Sequence, residues 1–257
     1  MKTTVIGAFP KISDQPGGQE LRQALHKQDR GELPQAELDA TYDRVTAGAI
    51  KELEAAGIDV INDGQIRWDD LLAPFASAWT GVHRGPLERF YDNNTYFRQP
   101  TIEGPISSDG TTLVRAFTSA KAIATHELKA AVAGPITFAT LAIDKHYGSL
   151  EERVLAVADA IAAEVRGLGA AGATLVDVED PGLVYAPQHI ELGLRQLAAV
   201  LLVQGLAELL SARLVADLWE RADHGRLHAV TTSFTTGRGS RPAPRTTSGI
   251  ASGHSIA

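Results

Sequence analysis

At 257 residues with 44% hydrophobic content, the chain can bury one large core or two modest ones, and its zero cysteine count excludes disulfides, thiolate catalysis and cysteine-ligated metals. A formal net charge of -7 with a pI near 5.6 argues against a broad basic face for nucleic acid or an anionic membrane, so small molecules are the expected partners. No apolar run spans a bilayer and MKTTVIGAFPK has no signal-peptide pattern, so the expected location is cytoplasmic.

Thr3 to Phe9 reads as a first strand stopped by Pro10, followed by a polar loop, KISDQPGGQ, suited to lining a pocket. From Asp39 to Ala56 the apolar residues Val45, Ala49, Leu53 and Ala56 recur at helical spacing, with Gly57 as C-terminal cap, and Ile58 to Ile61 forms a second strand. Between Pro100 and Phe117 two extended runs flank Asp109-Gly110, a pair suited to a tight turn, which predicts a β-hairpin excursion at 100–117. Lys129 to Ile136 is a further strand carrying Gly134-Pro135. Ser149 and Glu152 are spaced as a capping box for a helix whose buried face is Val154, Ala158, Ile161 and Val165. A last helix is expected from Ile190 to Leu210, with a strand from Arg213 to Leu218.

The most informative stretch is GATLVDVEDPGL, residues 172–183. Leu175, Val176 and Val178 give a strand, Pro181 ends its ladder, and Glu179 and Asp180 stand at its carboxyl end. In a parallel α/β protein that end is a favoured ligand position. The competing reading has one acid capping the next helix and the other solvated.

Strands alternating with helices imply a parallel sheet with right-handed crossovers, and the absence of G-x-G-x-x-G or a P-loop favours a (β/α)8 TIM-barrel type over an open nucleotide-binding sheet. After Asp223 there is no acidic residue, and the Ser, Thr, Gly, Pro and Arg-rich remainder lacks a hydrophobic period. The expected division is therefore a barrel over 1–222 and a disordered tail over 223–257. Two further βα units would need about sixty residues, so the barrel is expected to be incomplete, its last strands missing through truncation or a frameshift near residue 220. Such a barrel would expose sheet edges open to self-association.

TTVIGAFPKI at 3–12, AAGIDVINDGQIRWDD at 55–70, RFYDNNTYFRQP at 89–100, AVAGPITFATL at 131–141 and VDVEDPGL at 176–183 together resemble cobalamin-independent methionine synthase, in that family's order. The resemblance implies a (β/α)8 barrel and transfer of a methyl group from methyltetrahydrofolate polyglutamate to the zinc-activated thiol of homocysteine. It places substrate contacts at Ile6, Gly7, Ala8, Gln65, Glu179 and Asp180, with Ala8 where the family has serine and Gln65 where its catalytic form has an acid. Glu179 would bind the substrate ammonium.

RFYDNNTYF has the form of the family's N-terminal barrel, a likeness that offers Lys11 and Arg22 to the folate glutamates, although a solvated surface charge explains either one. Asp92, Asn93 and Asn94 read as a turn cluster packed by rings, with direct substrate contact as the alternative, and His146 as a loop acid or base or a helix-capping neighbour. The family's zinc is expected from the resemblance, but two of its ligands are cysteines, so no metal residue is assigned. His224 and His228, at i and i+4, are poor ligands with Gly225 between them. Two functions remain open: a single-barrel methyltransferase, or a non-catalytic barrel or inactive fragment that binds folate or amino acid. A uroporphyrinogen decarboxylase-like barrel fits the motifs less well.

Overall fold

A computed structural model describes residues 2–12, 18–91, 93–193 and 195, together with the backbone of 231–235. Helix α1 (Glu20–Asp29) and helix α2 (Gln35–Ala55) precede strand β1 (Val60–Ile61). Pro34, extended at ψ 147°, starts α2 four residues earlier than periodicity alone predicts, and Gly57, at φ 76°, follows its end. Helix α3 (Ala73–Ala78) leads into strands β2 (Thr80–Arg89) and β3 (Tyr96–Ser107), followed by α4 (Val114–Lys121), β4 (Glu127–Leu128) and β5 (Ala130–Ala133). Helix α5 (Pro135–Leu141), β6 (Ile143–Asp144), α6 (Leu150–Ala170), β7 (Leu175–Glu179), the single turn α7 (Gly182–Tyr185), a 3-10 turn (Pro187–His189) and β8 (Thr231–Thr235) follow.

The barrel wall formed by the first segment, β1, β4, β5 and β7 is parallel. The segment from Thr3 meets β1 through a single Thr4–Val60 bridge, β1 pairs with β4, and β5 pairs with β7 in register from Ala130–Val176 to Ala133–Glu179. Lys129 joins β4 to β5, its N–H bonding the Ile61 carbonyl at 2.9 Å, so 127–133 acts as one wall strand between β1 and β7. Helices cover this wall from outside, and Ile50 and Leu53 of α2, Phe117 of α4, and Val157, Ile161, Val165 and Leu168 of α6 share one core with Ile61, Val132, Val176 and Val178. Burying each such aliphatic side chain contributes about 1.5–3 kcal/mol. The architecture is α/β, of the TIM-barrel type, with part of the barrel present in the described residues.

Helix α6 starts as its sequence signals. The Ser149 hydroxyl accepts from Glu152 N–H at 3.2 Å, while the Glu152 carboxylate reaches back to Gly148 N–H at 3.1 Å, one residue earlier than in a standard box. Val154, Ala158, Ile161 and Val165 are all buried, as periodicity requires.

Several expectations are corrected. The hairpin lies at 80–107, not 100–117: β3 is antiparallel to β2 and parallel to β6. Gly85-Pro86 hid the first arm, because strands rarely tolerate that pair, and the ladder accommodates it by a register shift between Arg84 and Leu87. Asp109-Gly110 instead forms a turn ahead of α4, with the Asp109 carboxylate accepting from Thr111 N–H at 2.9 Å. Strand β5 stops at Ala133, because Pro135 is well suited to open a helix and α5 begins there. The first strand is reduced to one bridge. The predicted tail of 223–257 contains β8, which runs antiparallel along β7 from Thr231–Glu179 to Thr235–Leu175. Of the helix predicted from Ile190 to Leu210, only 190–193 and 195 are described, and they are helical. The strand at 213–218, His224 and His228 lie outside the described residues. Among the described residues no helix is long and apolar enough to cross a membrane.

Candidate functional site

The carboxyl ends of the wall strands meet around Glu179. Its Oε1 accepts from the backbone N–H of Gly7 at 3.2 Å, and its Oε2 accepts from the side-chain amide of Gln65 at 2.9 Å. Three chain segments far apart in sequence therefore converge on one carboxylate. Burial pushes its pKa above the usual glutamate range, against the lowering effect of the Gln65 and Gly7 hydrogen bonds.

The loop after β1 is built to present Gln65. The Asn62 amide donates to Gly7 O at 3.2 Å, Asn62 Oδ1 accepts from Gly64 N–H at 3.0 Å, and Phe9 N–H bonds Gly64 O at 2.9 Å. These bonds lash the loop after the first strand to the loop after β1. Gln65 itself sits at φ 50°, a left-handed conformation uncommon for a residue with a side chain, with its N–H donating to the Asp63 carboxylate at 2.9 Å. A strained backbone that delivers a buried amide to a half-buried carboxylate is the kind of feature found at ligand sites.

Asp180 has a different environment. It is 4% exposed, and it accepts from Ile136 N–H at 3.2 Å, Thr137 N–H at 2.7 Å and the Thr137 hydroxyl at 2.5 Å. Thr137 Oγ1 in turn accepts from Gly182 N–H at 2.8 Å. The carboxylate satisfies the orphan donors at the start of α5 and ties the β5 loop to the β7 loop. Gly134 permits this approach: a Cβ there would stand 2.1 Å from the Asp180 Cβ. Of the two acids expected to face a ligand, Asp180 is thus a capping group, and the helix it caps precedes it in sequence.

A cleft of about 120 Å³ runs along the first-strand loop, lined by Val5 to Pro10 with Leu53 and Asn62. Ile6 and Ala8 are exposed there, and Ala8 offers no hydroxyl. A larger groove of about 300 Å³ lies between α1 and α2, lined by residues that include Glu20, Lys27, Glu37 and Arg44, and contains none of the expected site residues. Lys11 is half-buried, its ammonium donating to the Trp68 carbonyl, with burial holding its pKa below the usual lysine range. Arg22 stands on the exposed face of α1. His146 is exposed in the loop after β6, and Asn93 makes a turn bond, accepting from Thr95 N–H at 2.7 Å. Asp92 lies outside the described residues.

A family model described as "Cobalamin-independent synthase, Catalytic domain" matches residues 1–213. The chain belongs to the cobalamin-independent methionine synthase family. A methionine synthase of Sulfurisphaera tokodaii is 29% identical over 193 residues, covering 74% of this chain and 55% of its own length. One from Saccharolobus solfataricus is 27% identical over 195 residues, covering 75% of this chain and 56% of its own length. The chain thus spans about half the length of the curated relatives it matches. A solved B12-independent methionine synthase from Shewanella sp. W3-18-1, in complex with selenomethionine, superimposes with a TM-score of 0.64 at 21% identity, covering 77% of this chain and 57% of that one. At that identity the likeness establishes the barrel fold. The matching family model is that of the catalytic domain; the finer likeness of RFYDNNTYF to an N-terminal barrel has no counterpart in that description.

Within this family the expected zinc is the point of misfit. Among the described residues no group of three His, Cys, Asp or Glu side chains is placed to hold a metal, and the chain has no cysteine. The described residues do not fit the two-cysteine zinc site that the resemblance implies.

Sequence reasoning missed Asn62, Thr137, Lys129 and Asp177. The ammonium of Lys129 contacts the Asp177 carboxylate, both side chains being 1% exposed, and donates to the Val5 carbonyl at 2.6 Å. One signal was available: Asp177 and Glu179 are two apart on one strand and so share a face.

Proposed function

We propose that this chain forms the amino-acid-binding part of a methionine synthase-type barrel, taking the ammonium of homocysteine or methionine on Glu179 in methyl transfer from methyltetrahydrofolate. The observation that carries the reading is the Glu179 carboxylate at the end of β7, bonded by Gly7 N–H and the Gln65 amide, with Gly7 itself lining a cleft. A carboxylate accepting from two neutral donors keeps lone pairs for a cation, and charge-assisted hydrogen bonds are roughly twice as strong as neutral ones. Gln65 serves this better than an acid in one respect. An amide bonds Glu179 without adding a second negative charge, and its own carbonyl oxygen can accept from the same ammonium.

Methyl transfer forms the sulfur–methyl bond as the bond from methyl to folate nitrogen breaks; the thiol loses its proton and the leaving folate nitrogen gains one. The described residues supply amino-acid binding for that reaction, and none of them is assigned to thiol activation. The misfit to zinc favours a second reading, a barrel that binds amino acid or folate without catalysis.

Titration calorimetry of the full chain with L-methionine, L-homocysteine and methyltetrahydrofolate triglutamate tests both. Amino-acid binding that Glu179→Ala weakens at least tenfold supports the proposal. Folate binding alone supports the second reading, and a folded chain that binds none of the three overturns both.

A further inference from the structure

One buried cation sits beneath the Glu179 site. Lys129 is 2% exposed, on the wall strand between β1 and β7. Its ammonium touches the Val5 carbonyl and the Asp177 carboxylate. Val5 is two residues before Gly7, and Asp177 is two residues before Glu179. Along β7 residues two apart stand on the same side, about 6.6 Å along the strand. The lower clamp, Val5–Lys129–Asp177, therefore repeats the upper contact, Gly7–Glu179, one step deeper in the barrel.

The neighbouring small residues make room for this arrangement. The parallel register sets Ala131 beside Asp177 and Ala133 beside Glu179, so no bulky side chain of β5 competes for the space these acids occupy. A hydrophobic triad would fill the floor of a barrel at lower desolvation cost than an ion pair. A charged clamp suits a position where strand spacing must be held to hydrogen-bond accuracy.

We propose that Lys129 is a positioning residue, whose ammonium fixes the separation of the first strand and β7 so that Gly7 and Glu179 meet in the geometry that receives the substrate ammonium. The inference rests on the amino-acid-binding reading of Glu179 for its consequence, and on the free chain for its geometry. The groups facing the Glu179 carboxyl are Gly7 N–H, the Gln65 amide, the Lys129 ammonium and the Asp177 carboxylate. Burial raises its pKa, Asp177 raises it further, and Lys129 opposes both.

The test is nuclear magnetic resonance of the full chain without ligand, labelled to show glutamate carboxyl carbons, backbone amides and lysine ammonium nitrogens. In the unaltered chain the Gly7 amide and the Lys129 ammonium should both move at the midpoint of the Glu179 titration. A Lys129 resonance that stays still through that midpoint overturns the proposal without any variant. Lys129→Met and the neutral pair Lys129→Met/Asp177→Leu, the second removing both buried charges together, should abolish the response of the Gly7 amide and weaken L-methionine binding at least tenfold. A role in stability alone would lower the melting temperature and leave the Gly7 response at full amplitude, and that result in either folded variant overturns the proposal. Failure of the unaltered chain to bind L-methionine would sink the proposed function, while the ligand-free resonances would still decide the role of Lys129.

Discussion

Glu179 and Asp180 are chain neighbours with the same functional group, yet they belong to two different regions. Asp180 closes a buried corner: two backbone N–H groups and one hydroxyl point at its oxygens, and the hydroxyl accepts from a further N–H. Glu179 stands at a half-buried rim where its two partners come from loops rather than from a helix start. Burial raises the pKa of both. The contrast teaches that a raised carboxyl does not by itself identify a binding group; what decides is whether the surrounding donors leave any acceptor capacity for a ligand.

The largest expected effect breaks the closed corner. Asp180→Ala leaves Ile136 N–H, Thr137 N–H and the Thr137 hydroxyl without their acceptor, and should cost about 3–4 kcal/mol in urea denaturation. A loss below about 1 kcal/mol would show that water replaces the carboxylate and that the corner is open. Next comes Gly134→Ala, whose methyl would fall 2.1 Å from the Asp180 Cβ. Pushing the two loops apart should cost about 2–3 kcal/mol by the same measurement.

At the open rim the order of effects reverses. Glu179→Gln should change stability by less than about 1 kcal/mol while weakening L-methionine binding about tenfold by calorimetry. Equal losses in both properties would place Glu179 with Asp180 as a structural acid. The pH dependence carries a sign. Because burial raises the folded-state pKa of Glu179, the folded chain holds that proton more tightly than the unfolded chain does. Its contribution is fully present below the unfolded glutamate range and is lost as pH rises through the raised folded value. Glu179→Gln should therefore gain melting temperature relative to the unaltered chain as pH rises from acid to neutral. A constant difference would mean that Glu179 titrates alike in both states.

The smallest expected effect is at the surface. Arg22→Ala, on the exposed face of α1, should shift stability by less than about 0.5 kcal/mol. Unchanged affinity for a folate triglutamate would also remove it from any folate contact.

Legibility in the sequence followed the range of the forces involved. The α6 helix was legible in both its start and its buried face, because capping and 3.6-residue periodicity are local. Strand β7 and its stop at Pro181 were legible for the same reason. The hairpin was displaced because Asp-Gly supports several positive-φ turns, and only the pairing of β2 with β3 selects among them. The Gly7–Gln65–Glu179 cluster was named through the resemblance, while its division of labour with Asp180 was not, since an acid's role depends on which donors face it.

By itself the sequence determined the α/β alternation, the exclusion of catalysis by a cysteine of this chain, and the carboxylate pair at the end of one strand. Each follows from composition or from spacing within a few residues. Only the tertiary structure decided that Asp180 caps α5, that Gln65 reaches Glu179 across 114 positions, and that Lys129 stands beneath them bonded to Val5, 124 positions away. Hydrogen bonds of that reach depend on how wall strands are ordered and registered, which no local pattern encodes.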